Sequence, residues 1–182
     1  MNSQIPIDLF VSKKHRGLTR SGFLKFTDAN GNLIFTIDSH SSLSDSPHRT
    51  KLLLDASGKP LISICHHQNG TWQAFRGDKN ADKDLIFWVK RVSSSLTRIE
   101  LEVHLVGDGG QDATSKLKVK GCPFQRACTI YKGDSIVAQT SLMYKLGKVY
   151  VGRCKFRLTV FPGFEDHAFL AALVVIFLAK KK

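Results

Sequence analysis

Between residues 7 and 160 hydrophobic and polar positions alternate with period two, and turn residues interrupt the alternation at short intervals. Period two sends successive side chains to opposite faces of a strand. The pattern predicts strands over residues 7–12, 22–27, 33–38, 50–55, 61–66, 71–76, 85–91, 98–105, 115–120, 126–132, 135–141 and 150–160. Ile99, Leu101, Val103 and Leu105 share one face, and Arg98, Glu100, Glu102 and His104 the other. Cys154, Phe156, Leu158 and Val160 likewise oppose Arg153, Lys155, Arg157 and Thr159. The run Leu85-Ile86-Phe87-Trp88-Val89 is apolar on both faces, which predicts cover outside as well as in, and Trp72 and Trp88 are expected in the core. Turn chemistry divides the strands: Asp28-Ala29-Asn30-Gly31, Asp55-Ala56-Ser57-Gly58, Asn69-Gly70, Lys132-Gly133-Asp134 and Leu146-Gly147. Residues 39–48, rich in Ser, Asp and Pro, and 107–114 read as loops.

The last segment breaks this pattern. Ala168 to Ala179 is unbroken apolar sequence, with Pro162-Gly163 marking a turn before it. Glu165 and Asp166 are expected in the first helical turn and Lys180, Lys181 and Lys182 after the last, complementing the helix dipole. A helix apolar all round has to be wrapped on every side. At about 1.5 Å per residue the run rises about 18 Å, short of the roughly 20 residues that a bilayer core demands. Strands with one apolar face and one wholly apolar helix have an economical solution. The sheet closes into an antiparallel barrel and the helix threads its lumen, leaving no exposed edge. The expected architecture is mainly β: a single domain over 1–182, with strands over about 7–160 and a core helix over about 164–180.

Several stretches resemble the plant LURP-one-related family, within the tubby C-terminal-like superfamily that also includes phospholipid scramblases. They are Leu9 to Lys14, Phe26 to Phe35 through Asp28-Ala29-Asn30-Gly31, Leu53 to Ile62 through Asp55-Ala56-Ser57-Gly58, Cys128 to Gly133, and Asp166 to Ile176. Together they follow the chain nearly from end to end. The resemblance implies a twelve-stranded antiparallel barrel around a central C-terminal helix, and an intracellular plant protein associated with defence responses. Tubby-like relatives bind phosphoinositides at membrane surfaces and some act in transcription. No residue of their lipid site aligns to a position here.

Charge alters this picture more than composition does. A hydrophobic fraction of 42% with 23% charged residues is that of a globular chain. Lys and Arg total 27 against 15 acids, a net charge of +12, which favours a polyanionic partner. The N-terminal residues lack the layout of a signal peptide, so Cys65, Cys122, Cys128 and Cys154 are expected as reduced thiols in a cytoplasmic setting, peripheral at the plasma membrane or nuclear.

Three cationic clusters are the candidate ligand-binding residues. Lys116, Lys118 and Lys120 alternate with Leu117 and Val119 and share a solvent face. Arg153, Lys155 and Arg157 do the same on the final strand. Lys13, Lys14 and Arg16, with Arg20, are expected in the turn after the first strand. Adjoining clusters would form a patch for anionic lipid, at up to about 1 kcal/mol per cation. Nucleic acid is disfavoured, because the one expected helix is apolar throughout and cannot lie in a groove. Protein partners are the remaining class, and a monomer is expected.

The chain has no G-x-S-x-G, Walker-type, C-x-x-C or H-E-x-x-H motif, and neither enzymatic activity nor a metal or cofactor is expected. Gly107-Asp108-Gly109-Gly110 lacks the Lys and helix of a phosphate cradle. His66-His67 beside Cys65 would point to opposite faces of a strand, and His167 beside Asp166 reads as capping and packing.

Overall fold

The computed structural model describes residues 5–16, 19–38, 49–78, 84–95, 97–106, 112–143 and 155–179. Its first six strands are β1 (Ile7–Arg16), β2 (Thr19–Thr27), β3 (Leu33–Asp38), β4 (Arg49–Asp55), β5 (Pro60–His66) and β6 (Trp72–Arg76). Six more follow: β7 (Leu85–Ser94), β8 (Ile99–Val106), β9 (Asp112–Cys122), β10 (Ala127–Lys132), β11 (Ser135–Leu142) and β12 (Lys155–Val160). A 3-10 turn at Pro123–Gln125 joins β9 to β10, and the helix α1 spans His167–Phe177. Each strand pairs antiparallel with its sequence neighbours, and β12 closes on β1 through Ile7 opposite Val160 and Val11 opposite Phe156. The result is a closed up-and-down barrel.

Alternation along each strand decides what lies inside. Leu101 and Val103 on β8, Leu117 and Val119 on β9, and Phe156, Leu158 and Val160 on β12 are buried, as period two requires. From Phe169 to Phe177 every residue of α1 is buried, so the wall encloses the helix around its whole circumference. Phe169 meets the ring of Phe87 with centroids 4.7 Å apart and nearly perpendicular planes.

The helix starts later than the sequence suggests. Asp166 is not in its first turn; it stands before it, and its carboxylate accepts the Phe169 N–H at 2.9 Å. Glu165 precedes that cap, and Lys180–Lys182 lie outside the described residues. The turn chemistry is as expected at both Asp-Ala-x-Gly sites. Asp28 accepts the Asn30 and Asn32 N–H groups, Asp55 those of Ser57 and Lys59, and Gly31 and Gly58 both take a φ of +86°, which suits glycine.

Three further expectations are corrected. The first hairpin is longer: Lys13 pairs with Leu24, Lys14 with Phe23 and His15 with Gly22, so Lys13, Lys14 and Arg16 belong to β1 and Arg20 to β2 instead of to a turn. A ladder at a barrel mouth needs backbone partners, not apolar side chains. Asp112 to Thr114, read as loop, begin β9. Trp72 is buried, but Trp88 is on the outer wall, stacked on His104 of the next strand with ring centroids 3.8 Å apart. Residues 39–48, 107–111 and 144–154, which hold one expected loop and the first part of the other, the Leu146-Gly147 turn, Cys154 and the start of the expected last strand, lie outside the described residues.

Candidate functional site on the outer wall

Closing the lumen around an apolar helix leaves polar chemistry to the outer wall. On β9, Lys116, Lys118 and Lys120 are exposed while Leu117 and Val119 are buried. Their neighbours on β8 temper them. Lys120 stands opposite Glu100, with Nζ 3.4 Å from the carboxylate, Lys118 stands opposite Glu102, and Lys116 opposite His104. Half-exposed pairs of this kind contribute at most about 1 kcal/mol. They nevertheless lower the net positive charge of that wall.

On β12, Lys155 and Arg157 are exposed; Arg153 lies outside the described residues. Arg157 reaches Asp8 of β1 at 3.5 Å, and Asp8 also accepts the Thr159 hydroxyl at 2.6 Å. Lys155 is in register with Ser12, which is in register with Lys25 on β2. Lys13 is half-buried in the following position of β1; the side chains of Lys14 and Arg16 are not among those described. The barrel thus brings the β1 and β12 clusters side by side. It separates both from the β9 lysines by β10 and β11.

Sequence reasoning missed Lys25, Arg98, Arg126 and Phe124. Lys25 joins a cluster only once β1 is known to lie between β2 and β12. Arg98 and Arg126 stand in the β7–β8 and β9–β10 connections, and Phe124, in the 3-10 turn, is 64% exposed. Arg126 takes a left-handed φ of 55° and closes the turn by donating its N–H to the Pro123 carbonyl. Beside this turn a half-open depression of ≈ 760 Å³ is lined by Ser93, Arg98, Glu100, Lys120, Thr129 and Gln139, among others.

Beneath the depression Thr140 is buried, and its hydroxyl accepts the Cys128 N–H and donates to the Arg126 carbonyl, both at 2.8 Å. Burial pushes the Cys128 thiol up to about 12, so it stays protonated and unreactive. Cys65, Cys122 and Cys128 are free thiols. His66 packs on Trp72, whereas His67 bonds Gln73 through Nε2 at 2.7 Å, so the two imidazoles diverge. Among the described residues no three His, Cys, Asp or Glu side chains are grouped to hold a metal ion, and no helix is long and apolar enough to cross a membrane.

Comparison with known proteins agrees with this architecture. The LURP-one-related family model matches residues 7–178. Protein LURP-one-related 7 of Arabidopsis thaliana is 50% identical over 175 residues, covering 96% of this chain and 90% of that protein. Protein LURP-one-related 15 of the same plant is 35% identical, covering 94% of this chain and 78% of that protein. A crystal structure of an Arabidopsis thaliana protein superposes with a TM-score of 0.63 at 31% identity, covering 97% of this chain and 91% of that one. On a match that takes in every strand and the enclosed helix, the chain belongs to the LURP-one-related family.

Proposed function

We propose that this protein is a non-enzymatic docking module whose basic exterior meets an anionic phospholipid surface, phosphoinositide-bearing membrane among them. The observation that carries the reading is the outward display of cations over a sealed apolar interior: Lys116, Lys118 and Lys120 on one wall, Lys155 beside the β1–β2 hairpin on another, in a chain of net charge +12. Near an anionic leaflet each such cation contributes about 1 kcal/mol, so a handful suffices for reversible binding. The proposed setting is intracellular and peripheral at a membrane, in the plant defence responses with which the family is associated.

Two other readings fit the geometry less well. A membrane anchor would need the helix free, and α1 is enclosed by the wall. A major-groove reader would need an exposed polar helix, and α1 is the one α-helix among the described residues. The decisive experiment is co-sedimentation of the whole protein with vesicles of phosphatidylcholine alone, of phosphatidylcholine with phosphatidylserine, and with added phosphoinositide, beside random duplex DNA. Binding only to the anionic vesicles, weakening as salt rises, is the expected result. Equal pelleting with neutral vesicles, or tighter binding to DNA than to any vesicle, would overturn it.

A further inference from the structure

Charge in this barrel is sorted along its axis. Odd-numbered strands begin, and even-numbered strands end, where the chain turns through Pro162-Gly163 toward α1; this is the entry end. Among the described residues Asp8, Asp28, Asp55, Asp78, Asp84 and Asp134 stand there, as do Glu165 and Asp166, against Lys25, Lys59, Arg76 and Lys132. The far end reverses the balance. Lys13, Lys51, Arg98, Lys120, Arg126 and Lys155 occupy the closing positions of odd strands, the opening ones of even strands and the connections between them. Among the described residues Asp38 and Glu100 are the acids at that level. The backbone positions of Lys14, Arg16, Arg20 and Arg49 fall at the far end too. Turn hydrogen bonding explains Asp28 and Asp55.

The far end also holds the depression beside the 3-10 turn, lined by Arg98, by Lys120 with Glu100 3.4 Å from its ammonium, and by Phe124, itself 64% exposed. Cations, hydroxyl and amide groups in a hollow, next to an exposed aromatic ring, match the layered chemistry of a bilayer surface: phosphate outside, acyl chain within. Distance selects the orientation. Strands of about eight residues separate the two ends by roughly 25 Å, whereas the leaflet's field decays over about 8 Å at physiological ionic strength. End-on approach therefore presents the cations and leaves the acids outside the field. Side-on approach would add Glu102 beside the β9 lysines, or Asp8 beside Arg157, to the acids presented.

We propose that the protein docks end-on. Its far end faces the anionic bilayer, headgroup phosphate sits in the depression against Arg98 and Lys120, and Phe124 enters the headgroup–acyl boundary. This rests on the phospholipid reading above, and the experiment separates the two. Arg98→Gln/Lys120→Gln/Arg126→Gln and Lys59→Gln/Arg76→Gln/Lys132→Gln remove the same net charge from opposite ends. At about fivefold per cation, the far-end triple should lose about 100-fold in affinity for phosphatidylcholine–phosphatidylserine vesicles, and the entry-end triple less than about threefold. Equal losses would overturn end-on docking while leaving phospholipid binding intact. A wild-type protein that ignores these vesicles would overturn both. Melting temperatures check the fold of each variant. The single Arg98→Gln, in an exposed connection, should still lose about fivefold. Phe124→Trp should give an emission shifted to the blue and quenched by brominated lipid; emission unchanged by vesicles would overturn the insertion.

Discussion

The lumen and the outer wall obey different rules. Inside, Leu170, Leu173 and Val174 of α1 share one continuous core with Phe26, Leu53, Ile64, Leu117 and Ile130 of the sheet, all of them fully buried. Such a site is fixed by volume, because interiors pack like organic crystals and a missing methyl group is felt. Outside, Lys118 opposite Glu102 or Lys155 opposite Ser12 is half in water, where attraction is weak and side-chain entropy opposes a fixed geometry. Stability therefore resides in the lumen, and the outer wall is left free to carry recognition.

Leu173→Ala should give the largest effect, a loss of about 2–5 kcal/mol on chemical denaturation. Lys118→Ala should fall within about 0.5 kcal/mol of wild type. Comparable losses from the two would erase the distinction between lumen and wall. Thr140→Val probes the boundary, since Thr140 is a buried polar group at the edge of the core. Removing its hydroxyl leaves the Cys128 N–H without its acceptor and should cost about 1–3 kcal/mol, despite near-equal volume. A neutral Thr140→Val would mean that water or another group replaces the hydroxyl. Adding a methyl at Gly121 is a steric counterpart: the new Cβ would collide with the Ala127 carbonyl oxygen and the Cys128 Cα, so Gly121→Ala should also lower the melting temperature.

What could be read from the chain follows the same division. Period two located all twelve strands, and the unbroken Ala168–Ala179 run identified the enclosed helix, because burial leaves its mark on every position it constrains. Local chemistry also identified the turns at Asp28 and Asp55. Trp88 misled because an aromatic in a strand pattern signals a half-buried surface but not which side of the sheet it covers. The first hairpin was drawn too short because Lys13 to Arg16 carry no apolar pattern, and backbone pairing continues without one. Whether Lys155 lies beside Lys25 or beside Lys118 depends on strand order, which no local spacing encodes. The axial sorting of charge was equally hidden. Each Asp and Lys reads as a solvated residue until every strand has a direction.

The smallest effect sharpens the comparison at the surface itself. Asp28 is held below its ordinary value of 3.8 first by the Asn32 side-chain amide, donating at 2.8 Å, and Asp55 by the Ser57 hydroxyl, donating at 2.6 Å. Each carboxylate is stabilised in the folded state relative to the unfolded one. That contribution is fully present above the unfolded value and fades as pH falls through the lower folded one. Asp28→Asn/Asp55→Asn keeps the Oδ1 acceptor of each turn and removes the charge, and at Asp28 it also removes the Oδ2 acceptor of the Asn32 amide. The variant should melt below wild type at neutral pH, and the gap should close as pH falls below about 3.8. A gap that stays constant with pH would assign the stabilisation to turn geometry instead of charge. Closure of the gap would show that even in these exposed turns, where ion pairs contribute little, a carboxylate ringed by donors is held by local hydrogen bonds, a form of stabilisation that needs neither the lumen nor a partner.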